Sequence, residues 1–140
     1  LARLGYSVIG VDNSHVGIGQ MNQMAQVQNL NLVGRVTDMY TFEDFGVFDI
    51  ILLDSMFHFT QKDREKEVGF VQKIVSRIRN GTLLVFCSQD SGHKVQILNN
   101  AIDFERPLER LMDKTFKYTF EDKESGHCSV SDYRMIMVKK

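Results

Sequence analysis

Three aspartates stand at or just after the ends of apolar, β-branched runs: Asp12, Asp38 and Asp54. Such runs are typical of strands buried in a parallel sheet, and ligands of open parallel sheets bind beyond the carboxyl ends of the strands. A carboxylate placed there can accept two hydrogen bonds from a ribose diol, or one from an exocyclic adenine amine. A single aspartate fits a solvated strand end or a helix cap equally well. Three in matching positions favour a ligand site.

His58 is the side chain best suited to accept a proton, because an imidazole titrates near neutral pH. It stands within residues 56–59, MFHF, where it has two alternative roles, capping a helix or packing beside a ligand. His15 falls in a first helical turn, and His93 and His127 fall in polar loops.

The composition is that of an ordinary globular protein, with 140 residues, 43% hydrophobic and 25% charged, and it predicts one domain over residues 1–140. No apolar run approaches the roughly 20 residues of a membrane span. The net charge of −1 gives no strong nucleic-acid signal. Cys87 and Cys128 form no CxxC pair, so the sequence predicts no disulfide framework, no metal site and a reducing, cytoplasmic location.

Buried strands and amphipathic helices alternate along the chain. The patterns predict six strands, near residues 7–11, 35–37, 50–53, 83–86, 116–120 and 134–138. Apolar residues at helical spacing predict a helix capped by Asn13 or Ser14 and a second one that ends near Gly81. A weaker helical signal between residues 90 and 114 is divided by Pro107, which is expected to begin another helix. The last two strands, joined by a polar stretch, predict an antiparallel hairpin.

Four segments of the sequence resemble class I S-adenosylmethionine-dependent methyltransferases. Residues 1–14, LARLGYSVIGVDNS, are similar to the segment after the family's glycine-rich loop, where a helix ends in Leu-Ala-x-x-Gly and the next strand in Gly-x-Asp-x-Ser. Residues 36–39, VTDM, resemble the adenine-contacting turn, and residues 48–59, FDIILLDSMFHF, resemble the fourth strand and its following turn. Residues 78–85, IRNGTLLV, resemble the entry to the fifth strand. The resemblance implies a Rossmann-like α/β fold: a mainly parallel sheet, helices on both faces and a C-terminal antiparallel hairpin.

The resemblance also implies that the cofactor is S-adenosylmethionine and that two turns hold its adenosine part. Asp12 would accept the ribose hydroxyls, and Asn13 would line the same pocket. Asp38 would accept the adenine amine, and Met39 would pack on the adenine ring.

Residues after the fourth strand of the family would surround the methionine part of the cofactor and its methyl group. Asp54 and Ser55 would flank the methionine part, and Phe57 and His58 would lie nearest the methyl. His58 is the one candidate catalytic base of an enzyme whose acceptor the sequence does not identify. Residues 90–113 are expected to help form the acceptor site.

The family's glycine-rich loop, its central first strand and most of the following helix have no counterpart before Leu1. The resemblance therefore implies an N-terminally truncated methyltransferase-like domain that lacks the central strand. The two neighbours of that strand would pair directly, receive a second copy in a homo-oligomer, or leave a slot.

Two other functions are compatible with the same residues. In an NAD-type Rossmann oxidoreductase an acid after the second strand also binds ribose, although the terminal hairpin and the turn at residues 38–39 argue against this reading. A catalytically silent methyltransferase-like subunit that binds a partner would keep the pocket without transferring a methyl group.

Overall fold

The chain forms two compact units, residues 1–44 and 45–140, each with its own sheet. The computed structural model describes residues 1–121 and 126–140. None of the helices in these residues has both the length and the apolar character needed to cross a bilayer. The expectation of a single domain over residues 1–140 stays a prediction.

Unit 1 is a strand–helix–strand unit with two short 3₁₀ helices. Its elements are β1 Val8–Asp12, α1 His15–Val27 and β2 Leu32–Val36, with 3₁₀ turns at Ala2–Leu4 and Met39–Thr41. The two strands are parallel and in register from Val8 opposite Leu32 to Asp12 opposite Val36. Their carboxyl ends therefore lie side by side.

Side chains of α1 fix both the start of the helix and its contact with β2. The Ser14 hydroxyl caps the helix by accepting a hydrogen bond from the Gly17 amide at 3.1 Å, as one of the two predicted caps. Asn22 donates to the Gly34 carbonyl at 3.1 Å and accepts from the Gly34 amide at 2.6 Å. A Cβ at Gly34 would lie 3.1 Å from both Asn22 and Ile18, so glycine allows this close approach.

Unit 2 contains a four-stranded sheet and two helices. Its strands are β3 Ile50–Asp54, β4 Leu83–Gln89, β5 Glu109–Glu121 and β6 Cys128–Lys139. Its helices are α2 Arg64–Arg77 and α3 Lys94–Ile102, and a 3₁₀ turn, Phe45–Val47, precedes β3. The order of the strands is β3-β4-β6-β5, in which β3 and β4 are parallel and β6 is antiparallel to both β4 and β5.

The core of unit 2 lies on one face of this sheet. Alternate residues of β4 and β6 point there, because the register pairs Leu84 with Val138 and Phe86 with Ile136. All four are at most 1% exposed. The helices contribute further side chains that are also at most 1% exposed: Val71, Ile74, Leu98, Ala101 and Ile102.

The α/β fold and all six predicted strands are confirmed, with differences at their ends. β2 begins and ends earlier than predicted, at Leu32 and Val36, because its register starts opposite the first residue of β1. β5 and β6 are both longer than predicted, and they pair antiparallel from Glu109 opposite Lys139 to Glu121 opposite Cys128, as the hairpin requires.

The predicted helix beginning at Pro107 is wrong. Pro107 is exposed and directly precedes Leu108, and β5 begins at Glu109. The fixed φ angle of proline suits an extended chain as well as a helical first turn. Here the cross-strand partners on β6 decide the outcome, and Arg110 on β5 hydrogen-bonds back to Asn99 at the end of α3.

Candidate functional site

Two acids of unit 1, Asp12 and Asp38, lie at or just beyond the carboxyl ends of its adjacent parallel strands. Asp12 is the exposed last residue of β1, and its Oδ1 accepts a hydrogen bond from the Ser14 amide at 2.7 Å. Asn13, the residue between them, is also exposed. One carboxylate oxygen of Asp12 therefore shapes the turn into α1. The other has no hydrogen bond among the described residues and is available to a ligand.

Asp38 lies two residues beyond the end of β2 and behaves in the same way. Its Oδ1 accepts from the Tyr40 amide at 2.9 Å and caps the 3₁₀ turn that begins at Met39. The Thr37 amide donates to the Asp12 carbonyl at 2.9 Å, which extends the strand pairing to this point. Each acid thus caps a local turn and still presents an exposed carboxylate, and the ligand role of these carboxylates stays a prediction.

Unit 2 has a cavity of about 290 Å³ at the carboxyl ends of β3 and β4. Its walls combine a carboxylate, three hydroxyl groups, two sulfur atoms and three aromatic rings, from Asp54, Ser55, Cys87, Phe116, Tyr118, Tyr133 and Met135. Ligands of open parallel sheets bind at such strand ends. The cavity is therefore the candidate site of unit 2.

The strand register explains why these side chains meet. Asp54 lies opposite Cys87, and Cys87 lies opposite Met135, so these three side chains form one row across the sheet. Tyr133 is two residues from Met135 on the same face, and its partner on β5 is Phe116. The row lies on the face opposite the packed core.

Unit 1 has a larger cavity, of about 440 Å³, but only amide and aliphatic side chains line it. It lies beside α1 and the first residues of β2, at the amino end of that strand, and is lined by Asn22, Ala25, Gln26, Asn29, Leu30, Leu32 and Val33. None of these side chains titrates. The acids and aromatic rings of the molecule lie elsewhere.

The chain leaves β3 through a constrained turn at Ser55. The residue has a φ of 56°, in the left-handed region that side chains other than glycine, asparagine and aspartate seldom adopt. Its amide donates to the Cys87 carbonyl at 2.8 Å, and its hydroxyl donates to Asp54 Oδ1 at 2.9 Å. The turn thereby orients the exposed Asp54 carboxylate at the edge of the cavity.

Phe57 and His58 have different environments. The Phe57 ring is 3% exposed and packs 5.6 Å from Phe59 and 6.4 Å from Phe86 between ring centroids. This packing supports a structural role for the ring and gives no support to the cofactor contact that the resemblance implies. The His58 side chain is exposed, and it has no hydrogen bond among the described residues.

Glu67, in the first turn of α2, holds this segment in place and was not anticipated from the sequence. It is 3% exposed, and its carboxylate accepts hydrogen bonds from the His58 amide at 3.2 Å and the Phe59 amide at 2.5 Å. A buried carboxylate is stable when hydrogen bonds satisfy its charge. An acid in a first helical turn is so common that only the fold reveals this one as buried.

The residues that line the cavity were also only partly anticipated. The alternation of Phe116, Tyr118 and Phe120 on one face of a strand is evident in the sequence. Cys87 directly follows the strand predicted near residues 83–86, and Tyr133 directly precedes the strand predicted near residues 134–138, but neither is singled out by the sequence as a site residue. The expectation that residues 90–113 help form the acceptor site stays a prediction, since none of them lines this cavity.

We predict that Glu67→Gln destabilises the protein by about 1–3 kcal/mol, because an amide can accept only one of the two backbone hydrogen bonds and turns a donor toward the other. The measurement is the free energy of unfolding in urea. Glu65→Gln is the matched control, since Glu65 is an exposed acid of the same helical turn. Equal destabilisation by both variants would contradict the anchoring role of Glu67.

We also predict that Cys87 reacts with iodoacetamide at higher pH than Cys128. Burial raises the pKa of the Cys87 thiol above the ordinary value of 9.0, and the charge of Asp54 raises this pKa further. The reactive thiolate therefore forms only at more alkaline pH, whereas Cys128 is an exposed free thiol.

Mass spectrometry of labelled peptides over a pH series gives the midpoint for each thiol. Asp54→Asn removes the charge that contributes to the raised pKa of Cys87 but leaves the burial unchanged. It should therefore lower the pH midpoint of Cys87 labelling by part of its shift and leave the midpoint of Cys128 unchanged. Coincident midpoints in the unsubstituted protein would be inconsistent with this electrostatic environment.

Comparisons with known proteins agree with the geometry. Among solved structures, TehB from Haemophilus influenzae superposes with a TM-score of 0.71 at 16% identity, over 99% of this chain and 51% of that chain. The N-methyltransferase NodS from Bradyrhizobium japonicum in complex with S-adenosyl-L-homocysteine superposes with a TM-score of 0.67 at 14% identity, over 94% and 65%. A SAM-dependent methyltransferase from Methanosarcina mazei superposes with a TM-score of 0.68 at 14% identity, over 99% and 84%.

These likenesses establish a fold shared with methyltransferases, and this chain spans about half the length of TehB. No curated protein sequence is significantly similar to it. The family model described as methyltransferase domain matches residues 1–86, which is more than half of the chain. The chain therefore belongs to the methyltransferase-domain family.

Proposed function

We propose that the protein transfers a methyl group from S-adenosylmethionine to an acceptor. The observation that carries the proposal is the pair of exposed carboxylates, Asp12 and Asp38, at the adjacent carboxyl ends of β1 and β2 in a chain of this family. The solved complex of a structural relative with S-adenosyl-L-homocysteine supports the same cofactor.

In unit 1, the residues present fit the adenosine part of the cofactor. Asp12 and Asp38 each keep a carboxylate oxygen free of hydrogen bonds to the described residues, and a carboxylate accepts from hydroxyl or amine donors. We assign the ribose hydroxyls to Asp12, with Asn13 beside it. The adenine amine is assigned to Asp38, with the half-buried Met39 against the ring.

In unit 2, we assign Asp54 and Ser55 to the methionine part. The bound cofactor supplies a methyl group on a positively charged sulfur, so a nearby carboxylate favours its binding electrostatically. Positioning contributes much of the catalysis of such a transfer, and the anchored turn at Ser55 provides it. The exposed imidazole of His58 can accept a proton where the acceptor carries one.

We also propose a reducing cytoplasm as the location of the protein, because the sequence holds only two cysteines, Cys87 and Cys128, and they form no CxxC pair.

We predict that Asp12→Asn weakens the binding of S-adenosylmethionine by about 1–3 kcal/mol, which is roughly a 5- to 150-fold rise in Kd. Asparagine keeps the oxygen that accepts from the Ser14 amide, so the turn is preserved while the charged acceptor is lost. The measurement is equilibrium binding by titration calorimetry.

Asp44→Asn is the control, because Asp44 is exposed in the same unit and lies outside the two strand ends. If Asp12→Asn bound the cofactor as tightly as this control, the ribose role would be wrong. Cofactor binding without transfer to any acceptor would instead favour a silent binding subunit.

We predict that His58→Ala lowers the rate of methyl transfer by less than about 10²-fold, since the side chain is exposed and has no orienting partner among the described residues. Loss of an essential general base typically costs 10²–10⁴-fold. The measurement follows tritium from the labelled cofactor into a panel of small amines, thiols and hydroxyl compounds. A larger fall in rate with unchanged cofactor binding would show that His58 is the base.

A further inference from the structure

Three aromatic rings form one wall of the cavity in unit 2. The Tyr133 ring lies 5.2 Å from Tyr118 and 6.1 Å from Phe116 between centroids, with interplanar angles of 48° and 44°. Rings tilted in this way do not stack flat on each other. They therefore do not fully cover one another, and Phe116 and Tyr118 remain 37% and 47% exposed.

The charge of the cavity is negative. Asp54 is the one acidic residue among the described residues that line it, and no lysine or arginine is among them. Cys87 stays a neutral thiol because burial and Asp54 raise its pKa. Lys114, which pairs with Met135 in the same row, lies on the edge strand beyond the lining.

We propose that this cavity binds an organic ammonium group, and that this group belongs to the methyl acceptor. The second clause rests on the proposed function. Ring faces attract cations through their negative quadrupole, and aromatic cages are a common means of binding substituted ammonium ions. The Asp54 carboxylate, which we also assign to the methionine part of the cofactor, supplies the counter-charge from the boundary between the two ligands. The thioether of Met135 and the rings contact the carbon substituents.

The size and position of the cavity agree with a small cation. A volume of about 290 Å³ is at the lower end for ligand pockets, which fits a head group of a few heavy atoms rather than a large planar molecule. The hydroxyl of Ser55 lies 3.5 Å from that of Tyr133, so these two polar groups meet in the lining of the cavity. An acceptor molecule held there by its ammonium group would lie beside the turn that we assign to the methionine part of the cofactor.

The test compares choline with 3,3-dimethylbutanol, its neutral carbon isostere, in equilibrium binding to the full chain followed by NMR. We expect choline to bind at least about 10-fold more tightly, because shape and apolar area are the same and only the charge differs. Equal affinities, or no binding of choline at millimolar concentration, would overturn the proposal.

Two variants test which residues produce the preference for choline. Tyr118→Leu keeps an apolar side chain but removes the ring, and Asp54→Asn removes the charge, so each should reduce the preference for choline about 5-fold or more. Phe120→Leu is the matched control, because Phe120 lies two residues along the same face of β5, is 50% exposed and does not line the cavity. If Tyr118→Leu preferred choline over its isostere as strongly as Phe120→Leu does, the assignment of Tyr118 to the ammonium site would be overturned. Thermal unfolding of each variant confirms that it is folded.

Titration of S-adenosylmethionine in the same samples separates this proposal from the proposed function. Cofactor binding without a preference for choline over its isostere would reject the ammonium site and leave the methyltransferase function standing. Selective choline binding without cofactor binding would reject that function and leave the ammonium site standing.

Discussion

The pairing of β4 along both of its edges is the constraint on which unit 2 depends. β3 pairs with it in parallel, and β6 pairs with it antiparallel along its whole length. Side chains alternate between the two faces of a strand, so this pairing sends Leu84 and Phe86 into the core and Cys87 to the opposite face. The same register places Asp54 and Met135 on either side of Cys87. The core and the cavity therefore lie on opposite faces of the same sheet.

The cavity has its electrostatic character because of this placement. The Asp54 carboxylate, at the end of a parallel strand, stays exposed to water, while its neighbour one strand away, Cys87, is buried and has a raised pKa. The aromatic residues are carried by the long β5–β6 hairpin, which extends past the ends of β3 and β4. A shorter hairpin would leave Asp54 at an ordinary solvated strand end.

Local sequence patterns predicted where the strands lie in the sequence more accurately than which strands pair with each other. The apolar run that ends at Asp54 and the alternation around Phe116 are local signals, and both identify strands that the structure contains. No local pattern shows that β6 lies between β4 and β5, which is what brings Tyr133 beside Cys87. The roles of Pro107 and Glu67 likewise depend on contacts that are distant in sequence. Pro107 precedes a strand because β5 pairs with β6, and Glu67 is buried because it accepts hydrogen bonds from the backbone amides of residues 58 and 59.

The backbone at Ser55 shows how the turn at the edge of the cavity balances strain against hydrogen bonding. A left-handed conformation costs a residue with a Cβ about 1–2 kcal/mol, and glycine would avoid that cost. Glycine has no hydroxyl, however, and the turn would lose the hydrogen bond from Ser55 to Asp54. A net contribution of about 0.5–1.5 kcal/mol for a neutral hydrogen bond, and more to a charged acceptor, is enough to offset the strain. Serine at this position therefore holds the carboxylate in one orientation, which a binding site requires and a solvated strand end does not.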